Sequence, residues 1–253
     1  MKLHSPLETP ERILLYGQPG TGKSRAALSV ASVIGDSKMF VVDTDYSASY
    51  GRLMATDFPD ASNVEVQVVD GDDWHQIIGA VRSAVSQAQA GDWVVLDSVS
   101  PSWQAIQTHY IIRRHGEEFL DVFALSGADA KRQTTDADMN WQAINAEYNK
   151  LYKALFLAGA HLLVTAEADA VDAKRDDARV KGLYESVGFK PRGQKALGHT
   201  THTVLLTGKR RSGEFTMTTV KDRGRPEVEN EPVADFAKDY LMKVAGWKPV
   251  VRP

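Results

Sequence analysis

The chain has 253 residues and a mass of 27.8 kDa, room for one α/β domain with a sizeable core but not for two full-size ones. Hydrophobic residues at 43%, charged residues at 25%, 19 Gly and 10 Pro exclude collagen-like and low-complexity chains, and the absence of Cys excludes disulfides, thiolate metal sites and cysteine nucleophiles. A formal net charge of -3 and a pI of about 6.2 exclude a whole-chain basic excess, so any nucleic-acid contact has to be a local patch.

The opening residues MKLHSPLETPER lack the apolar core of a signal peptide, and no run of about 18 apolar residues follows. With no Cys, the expected compartment is a reducing cytoplasm. Apolar strand-like runs then alternate with helical patterns, which predicts a mostly parallel sheet flanked by helices. RILLY (12–16) is the first strand and 23–34 the first helix. MFVVD (39–43) and VEVQVV (64–69) are the next two strands. Asp72 and Asp73 cap a helix with Trp74, Ile77, Ile78, Val81 and Val85 on one face, ended by Gly91. WVVLD (93–97) is apolar on both faces, as a central parallel strand is. A long insert, 98–140, contains a helix over 103–114 and a polar portion over 129–138. A further helix spans 141–157, with Ile144, Tyr148, Leu151, Tyr152 and Leu155 on one face. HLLVT (161–165) is the fifth strand, and 168–195 reads as a polar excursion, mobile in part. Strands at 203–207 and 214–220 form a late antiparallel pair joined through GKRRSG. The closing helix spans 232–244, Pro at its start and Gly246 past its end. The tail GWKPVVRP either docks on a neighbour or hangs free. No linker splits the chain, so a single domain over 1–253 is expected, with a core at about 10–226 and a helix and tail at 227–253.

Between the first strand and helix stands Gly17-Gln18-Pro19-Gly20-Thr21-Gly22-Lys23-Ser24, which fits G-x-x-x-x-G-K-[ST] in its required strand–turn–helix context. Glycines let backbone N–H groups converge on a β-phosphate, Lys23 reaches the β/γ-phosphates, and the Ser24 hydroxyl ligates Mg2+. These residues, with Arg25 behind them, form the expected ATP-binding set. A P-loop also requires a carboxylate for the metal at the end of another buried strand, and Asp97 closes WVVLD. His199 and His202 lack a neighbouring carboxylate to complete a metal site and read as structural. No N-K-x-D element for guanine is present.

Ser98 follows Asp97 where AAA+ and many helicase-type ATPases carry a catalytic Glu. RecA-type ATPases place it after the strand that follows the P-loop helix, here Phe-Val-Val-Asp43-Thr-Asp45. Over about residues 10–226 the chain resembles the RecA-like family, in particular small phage-encoded ATP-binding proteins related to single-strand annealing recombinases. The resemblance implies a RecA-like P-loop core, and a host-cytoplasm location if phage-encoded. It implies Asp45 as water-activating acid, shortened from the family's Glu, and Glu167 as γ-phosphate sensor in place of a polar residue, often Gln. Such a Glu would repel the phosphate unless paired with a metal or a basic residue. Lys221 and Arg223, in VKDRGRP, resemble the Lys-x-Arg element that RecA-like assemblies insert into a neighbour's ATP site. Asp43 and Asp45 could alternatively only cap their loop.

The same resemblance implies a homo-oligomer, a ring or filament, and single-stranded DNA held by the loops after the fourth and fifth strands. The second loop carries Lys174, Arg175, Arg179, Lys181, Lys190, Arg192 and Lys195 against Asp169, Asp172, Asp176, Asp177 and Glu185, with Tyr184 and Phe189 able to stack on bases. The turn cations Lys209, Arg210 and Arg211 are a second basic patch. The expected function is ATP hydrolysis in recombination, repair or replication. Two alternatives stay open: a small-molecule phosphotransferase with lid arginines Arg113, Arg114 and Arg132, and a nucleotide-switched assembly factor.

Overall fold

The structure, a computed structural model, describes residues 10–45, 49–116 and 141–251. The predicted polar stretch 129–138 and Arg132 lie outside the described residues.

Strand β1 is Arg12–Gly17, and its β-branched and leucine side chains fill both faces of a central position. Helix α1, Lys23–Ser29, starts on Gly22 and tightens into a 3-10 turn at Val30–Ser32, so the predicted helix over 23–34 is shorter than its apolar pattern. Strand β2 is Met39–Asp43, helix α2 Ser49–Thr56, and strand β3 Val64–Val68. Helix α3, Trp74–Gln87, is capped by the Asp73 carboxylate, which accepts from the His75 and Gln76 N–H groups. It stops at Ala88 rather than Gly91, which instead turns the chain into β4, Trp93–Asp97, at φ 88°. Helix α4 is Val99–His115 and α5 Trp141–Leu157, the latter burying the five predicted residues. Strand β5, His161–Ala170, is twice as long as HLLVT: it stays paired with β1 through Glu167, and its last three residues pair antiparallel with β6, Phe189–Pro191.

Between β5 and β6 lies helix α6, Ala178–Tyr184, capped by Asp177, so the excursion predicted as partly mobile is a folded ribbon. Its polar composition reflects local caps: Asp172 accepts from the Lys174 and Arg175 N–H groups, and Asp176 from that of Asp172. A one-turn helix α7, Leu197–Thr200, precedes the antiparallel pair β7, Thr203–Lys209, and β8, Phe215–Asp222. Pro232–Val233 is strand β9 on the edge of β8, not the start of the closing helix; proline suits an edge strand because it gives up no ladder donor there. Helix α8, Phe236–Val244, begins at Asp235 and is π-wound, with Tyr240 N–H on Asp235 O and Ala245 N–H on Tyr240 O. The tail docks on its own chain: Asp36 N–H bonds Val250 O, and Val250 N–H bonds Ile34 O.

The sheet runs β3-β2-β4-β5-β1-β7-β8-β9, parallel from β3 to β7 and antiparallel beyond. Alternate side chains feed two cores. Leu14, Tyr16, Leu96 and Val164 pack under α3, α4 and α5, whereas Ile13, Leu15, Val95 and Leu163 pack under α1 and α8. This is the expected α/β sheet flanked by helices with a late antiparallel pair. Strand β5 intervenes between the strand that enters the P-loop and the strand that ends in Asp97.

Candidate functional site

The carboxyl ends of β1, β2, β4 and β5 share one edge of the sheet. Gly17 on β1 faces Glu167 on β5, and Asp43 on β2 faces Asp97 on β4. The P-loop turns on two glycines at positive φ, Gly20 at 76° and Gly22 at 87°, which side chains other than glycine rarely adopt. Gly17 is required for a different reason: a Cβ there would sit 2.2 Å from Thr207 Oγ1 and 2.4 Å from Thr207 O. Thr21 closes the turn, donating to Gln18 O at 2.7 Å and sharing a 2.8 Å bond with Thr207.

Lys23 Nζ donates to Gly17 O at 3.0 Å and to Gln18 O at 3.2 Å, so the ammonium is held over the mouth of its own loop. Burial lowers its pKa, and the fields of Asp97, Glu167 and Asp45 act against that. Those three carboxylates are ones the sequence singled out, and they act on the ammonium through space. Arg25 does not join them: its guanidinium lies 3.3 Å from Asp57 and beside the Phe58 ring.

Asp97 is buried, and both its oxygens are held. Tyr50 Oη donates to Oδ2 at 2.9 Å, and the Thr165 hydroxyl donates to Oδ1. Burial, reinforced by Asp97, keeps the Tyr50 proton well above the ordinary phenol pKa, so Tyr50 is a permanent donor. Thr44 ties the ends of β2 and β4 together: its N–H bonds Asp97 O, and its hydroxyl exchanges bonds with Ser98 O and Ser98 N–H.

Asp43 is also buried. Its Oδ1 accepts the Asp45 N–H at 3.0 Å, while Oδ2 has no partner. Burial and the nearby Asp97 and Asp45 push its pKa up to about 6, against the opposing bond from Asp45. Asp43 therefore holds the Asp45 backbone, and Asp45 itself is exposed.

These oxygens suit a hard cation. The Ser24 hydroxyl has no partner among the described residues, and the orphaned Asp43 Oδ2 is a buried acceptor beside Asp97. No cluster of three or more His, Asp or Glu forms a closed metal cage among the described residues. Mg2+ bound through one or two protein oxygens, its remaining positions filled by water and phosphate, matches that sparse set.

Glu167 has the basic partner that a carboxylate at this position requires. Arg192, just past β6, reaches Glu167 Oε2 with Nη1 at 2.5 Å and Asp169 Oδ1 with Nε at 3.1 Å. Buried Ser100 welds the backbone here, accepting from Glu167 N–H at 3.0 Å and donating to Arg192 O at 2.9 Å.

Lys221 and Arg223 lie at the opposite edge. Lys221 pairs with Val204, which pairs with Leu14 near the start of β1. Lys221 Nζ donates to Gly198 O and Thr201 O, and Arg223 Nη2 to His199 O, so both close the carbonyl end of α7. Burial and then Arg223 lower the Lys221 pKa to about 8. The β7–β8 turn, by contrast, reaches the P-loop: Phe215 lies 3.0 Å from where a Gly22 Cβ would be, with Lys209 5.2 Å from its ring centre.

The candidate DNA ribbon is largely self-paired. Lys190 bonds Asp176, Lys195 lies 3.9 Å from Asp177, and Lys181 Nζ bonds Ala173 O. Tyr184 is buried edge-on against Tyr16, so it cannot stack on a base; Phe189 remains partly exposed. Among the described residues no helix is long and apolar enough to cross a membrane.

Sequence reasoning missed Tyr50, Thr165, Ser100 and Arg192 as parts of the site. Thr165 carried a signal, a hydroxyl at the end of a buried strand that demands a partner. Tyr50, Ser100 and Arg192 acquire their roles only through strand order.

One family model and several known proteins are similar to this chain. The AAA domain family model AAA_24 matches residues 9–224. The DNA repair and recombination protein RadB of Halobacterium salinarum, in two strains, is 28% identical over 223 residues, covering 85% of this chain and 80% of that protein. Solved structures with similar chains include a prototypical ATPase from the type III secretion system of pathogenic bacteria (10% identity, TM-score 0.46, 80% of this chain and 51% of that one). Another is the ATP synthase subunit NeqB of Nanoarcheaum equitans (8% identity, TM-score 0.42, 83% and 52%). The chain spans about half the length of each of these two structures. The chain belongs to the AAA domain family AAA_24.

Proposed function

From that membership we propose that the chain hydrolyses ATP with Mg2+ and acts on single-stranded DNA in recombination, repair or replication. The observation that carries the reading is the convergence of Lys23, Asp97, Asp45 and Glu167 on one edge, beside the glycines of the P-loop. The RadB relative's printed name, DNA repair and recombination, supports the process, and the phage annealing-type assignment rests on the sequence resemblance alone.

In this reading Gly17–Ser24 cradle the phosphates, and Lys23 exchanges its two carbonyl partners for phosphate oxygens. Ser24 and Asp97 would hold Mg2+, which would offset the negative charge of the phosphates. Tyr50 and Thr165 orient Asp97. Asp45, exposed and with its backbone held by Asp43, orients the attacking water and takes its proton. Its short side chain makes turnover slow.

Head-to-tail stacking would bring the far edge of one sheet against the P-loop edge of the next. Arg223 then acts across the boundary, while the half-buried Lys221 stays on the α7 carbonyls and sets its position. The DNA contact falls to Lys174, Arg179 and the exposed Phe189 of the ribbon, with Lys209 and Arg211 at the neighbouring turn.

ATP turnover with and without single-stranded DNA tests this. DNA-stimulated phosphate release is expected, falling steeply with salt because the contacts are to phosphates. Asp45→Asn should bind ATP and lose about 10²- to 10⁴-fold in rate. Mixing Lys23→Ala with Arg223→Ala should restore part of the activity. A folded, ATP-binding protein with no turnover under any of these conditions would overturn the hydrolytic reading, and DNA-independent turnover would overturn the DNA assignment.

A further inference from the structure

Asp97, Glu167 and Asp45 act on the Lys23 ammonium, Asp43 lies beside Asp97 and Asp45, and a triphosphate adds more negative charge to these four carboxylates. Among the described residues of this edge, Arg192 is the cation bonded to one of those four. It stands on the side of the nucleotide's terminal phosphate, because its partner Glu167 faces Gly17 in register and acts on the Lys23 ammonium.

We propose that Arg192 is a sensor of the γ-phosphate acting within its own chain, parked on Glu167 and Asp169 until that phosphate arrives. This rests on the reading of Gly17–Ser24 as an ATP site. Three features of the geometry carry it.

The guanidinium is only partly committed. Nη1 and Nε serve the two carboxylates, while Nη2 has no partner among the described residues. The Arg192 side chain is 47% exposed, and its partners 39% and 40%. Solvated pairs of this kind hold weakly, and a phosphate offers the same planar fork a more highly charged acceptor.

The backbone, however, is fixed. Arg192 N–H bonds Glu167 O at 2.7 Å, and Arg192 O accepts from Ser100, three residues beyond Asp97. The side chain can therefore swing on an anchored pivot, with no loop movement required.

Leaving Glu167 has a consequence on each side. Glu167, once released, is an unpaired carboxylate beside the phosphates and is driven outward. Asp169, which pairs with Lys190 across β5 and β6, loses its contact with Nε. The presence of the γ-phosphate is thereby read at the base of the ribbon.

The test is equilibrium binding of ATPγS and of ADP, with Mg2+, to the full chain and its variants. Arg192→Ala should weaken ATPγS about tenfold or more, the worth of one hydrogen bond to a charged group, and leave ADP unchanged. Arg192→Lys, which keeps the charge without the fork, should fall between. Glu167→Gln should raise the preference for ATPγS, since it removes an opposing charge and loosens the parked state. An unchanged ratio in Arg192→Ala, or an equal loss for both nucleotides, would overturn the proposal, as would a fall in ATPγS preference in Glu167→Gln. Wild-type protein that binds neither nucleotide would instead overturn the ATP-site reading itself.

Discussion

Replacing Tyr50 by Phe removes one oxygen and leaves the ring, so no cavity forms at a position that is 1% exposed. The lost oxygen is the donor to Asp97 Oδ2 at 2.9 Å. A hydrogen bond to a charged group contributes about 1.5–3 kcal/mol, and here its loss leaves a second buried carboxylate oxygen unpaired near the orphaned Asp43 Oδ2. We expect Tyr50→Phe to lose about 2 kcal/mol. In urea, with a slope of about 3 kcal/mol/M, the midpoint falls by roughly 0.7 M with the slope unchanged. Turnover should fall as well, because Asp97 is then oriented by Thr165 alone. Thr165→Val acts on the same carboxylate, so the double variant should differ from the sum of the two singles by at least about 0.5 kcal/mol. A Tyr50→Phe protein as stable and as active as wild type would refute the claim that Tyr50 holds Asp97.

Two stability predictions arise at the far edge of the sheet. His161 stacks on Trp93 at 4.9 Å, meets Trp247 edge-on at 4.4 Å, and accepts the Glu11 N–H on Nδ1, which requires the neutral ring. Burial lowers its pKa to about 4, with Asp92 opposing. Its contribution is therefore present above the unfolded value of about 6.5 and is lost as pH falls toward 4, with about 2 kcal/mol gone by pH 5. Urea midpoints at pH 7 and pH 5 should show this loss, and His161→Phe, which keeps the stacking without titrating, should remove most of it; equal pH dependence in both proteins would contradict the assignment. Arg225 bonds both Glu11 oxygens, Tyr240 Oη and the fully buried Asp222, so Arg225→Met should cost about 3–5 kcal/mol, with Asp222→Asn recovering part of it. A loss under about 1 kcal/mol in chemical denaturation would mean that Tyr240 and the backbone N–H groups suffice for Asp222.

The sheet was legible because its strands are near-continuous apolar runs, and the P-loop because its glycines have a steric purpose at a fixed spacing. Asp97 was legible as the acid that ends a fully buried strand. The ribbon 168–195 was not, because its order comes from Asp172, Asp176 and Asp177 capping local turns, and their charges read as solvation. Tyr184 stands among polar residues in the sequence, yet its T-shaped contact with Tyr16 belongs to the core. Pro232 looked like a helix start because proline suits both a first helical turn and an edge strand, and only the pairing with Thr218 decides between them. Arg192 had no pattern of its own. Its position depends on β5 running between β1 and β4, which the order of elements along the chain does not reveal.

Gly17–Ser24 and Asp97 are proposed to form a working ATP site. It is tested most directly by phosphate release from ATP in the wild type and in Lys23→Ala, with circular dichroism and urea unfolding confirming that the variant is folded. Mg2+-dependent release is expected in the wild type and none above background in Lys23→Ala. A folded Lys23→Ala protein that releases phosphate at the wild-type rate would contradict it.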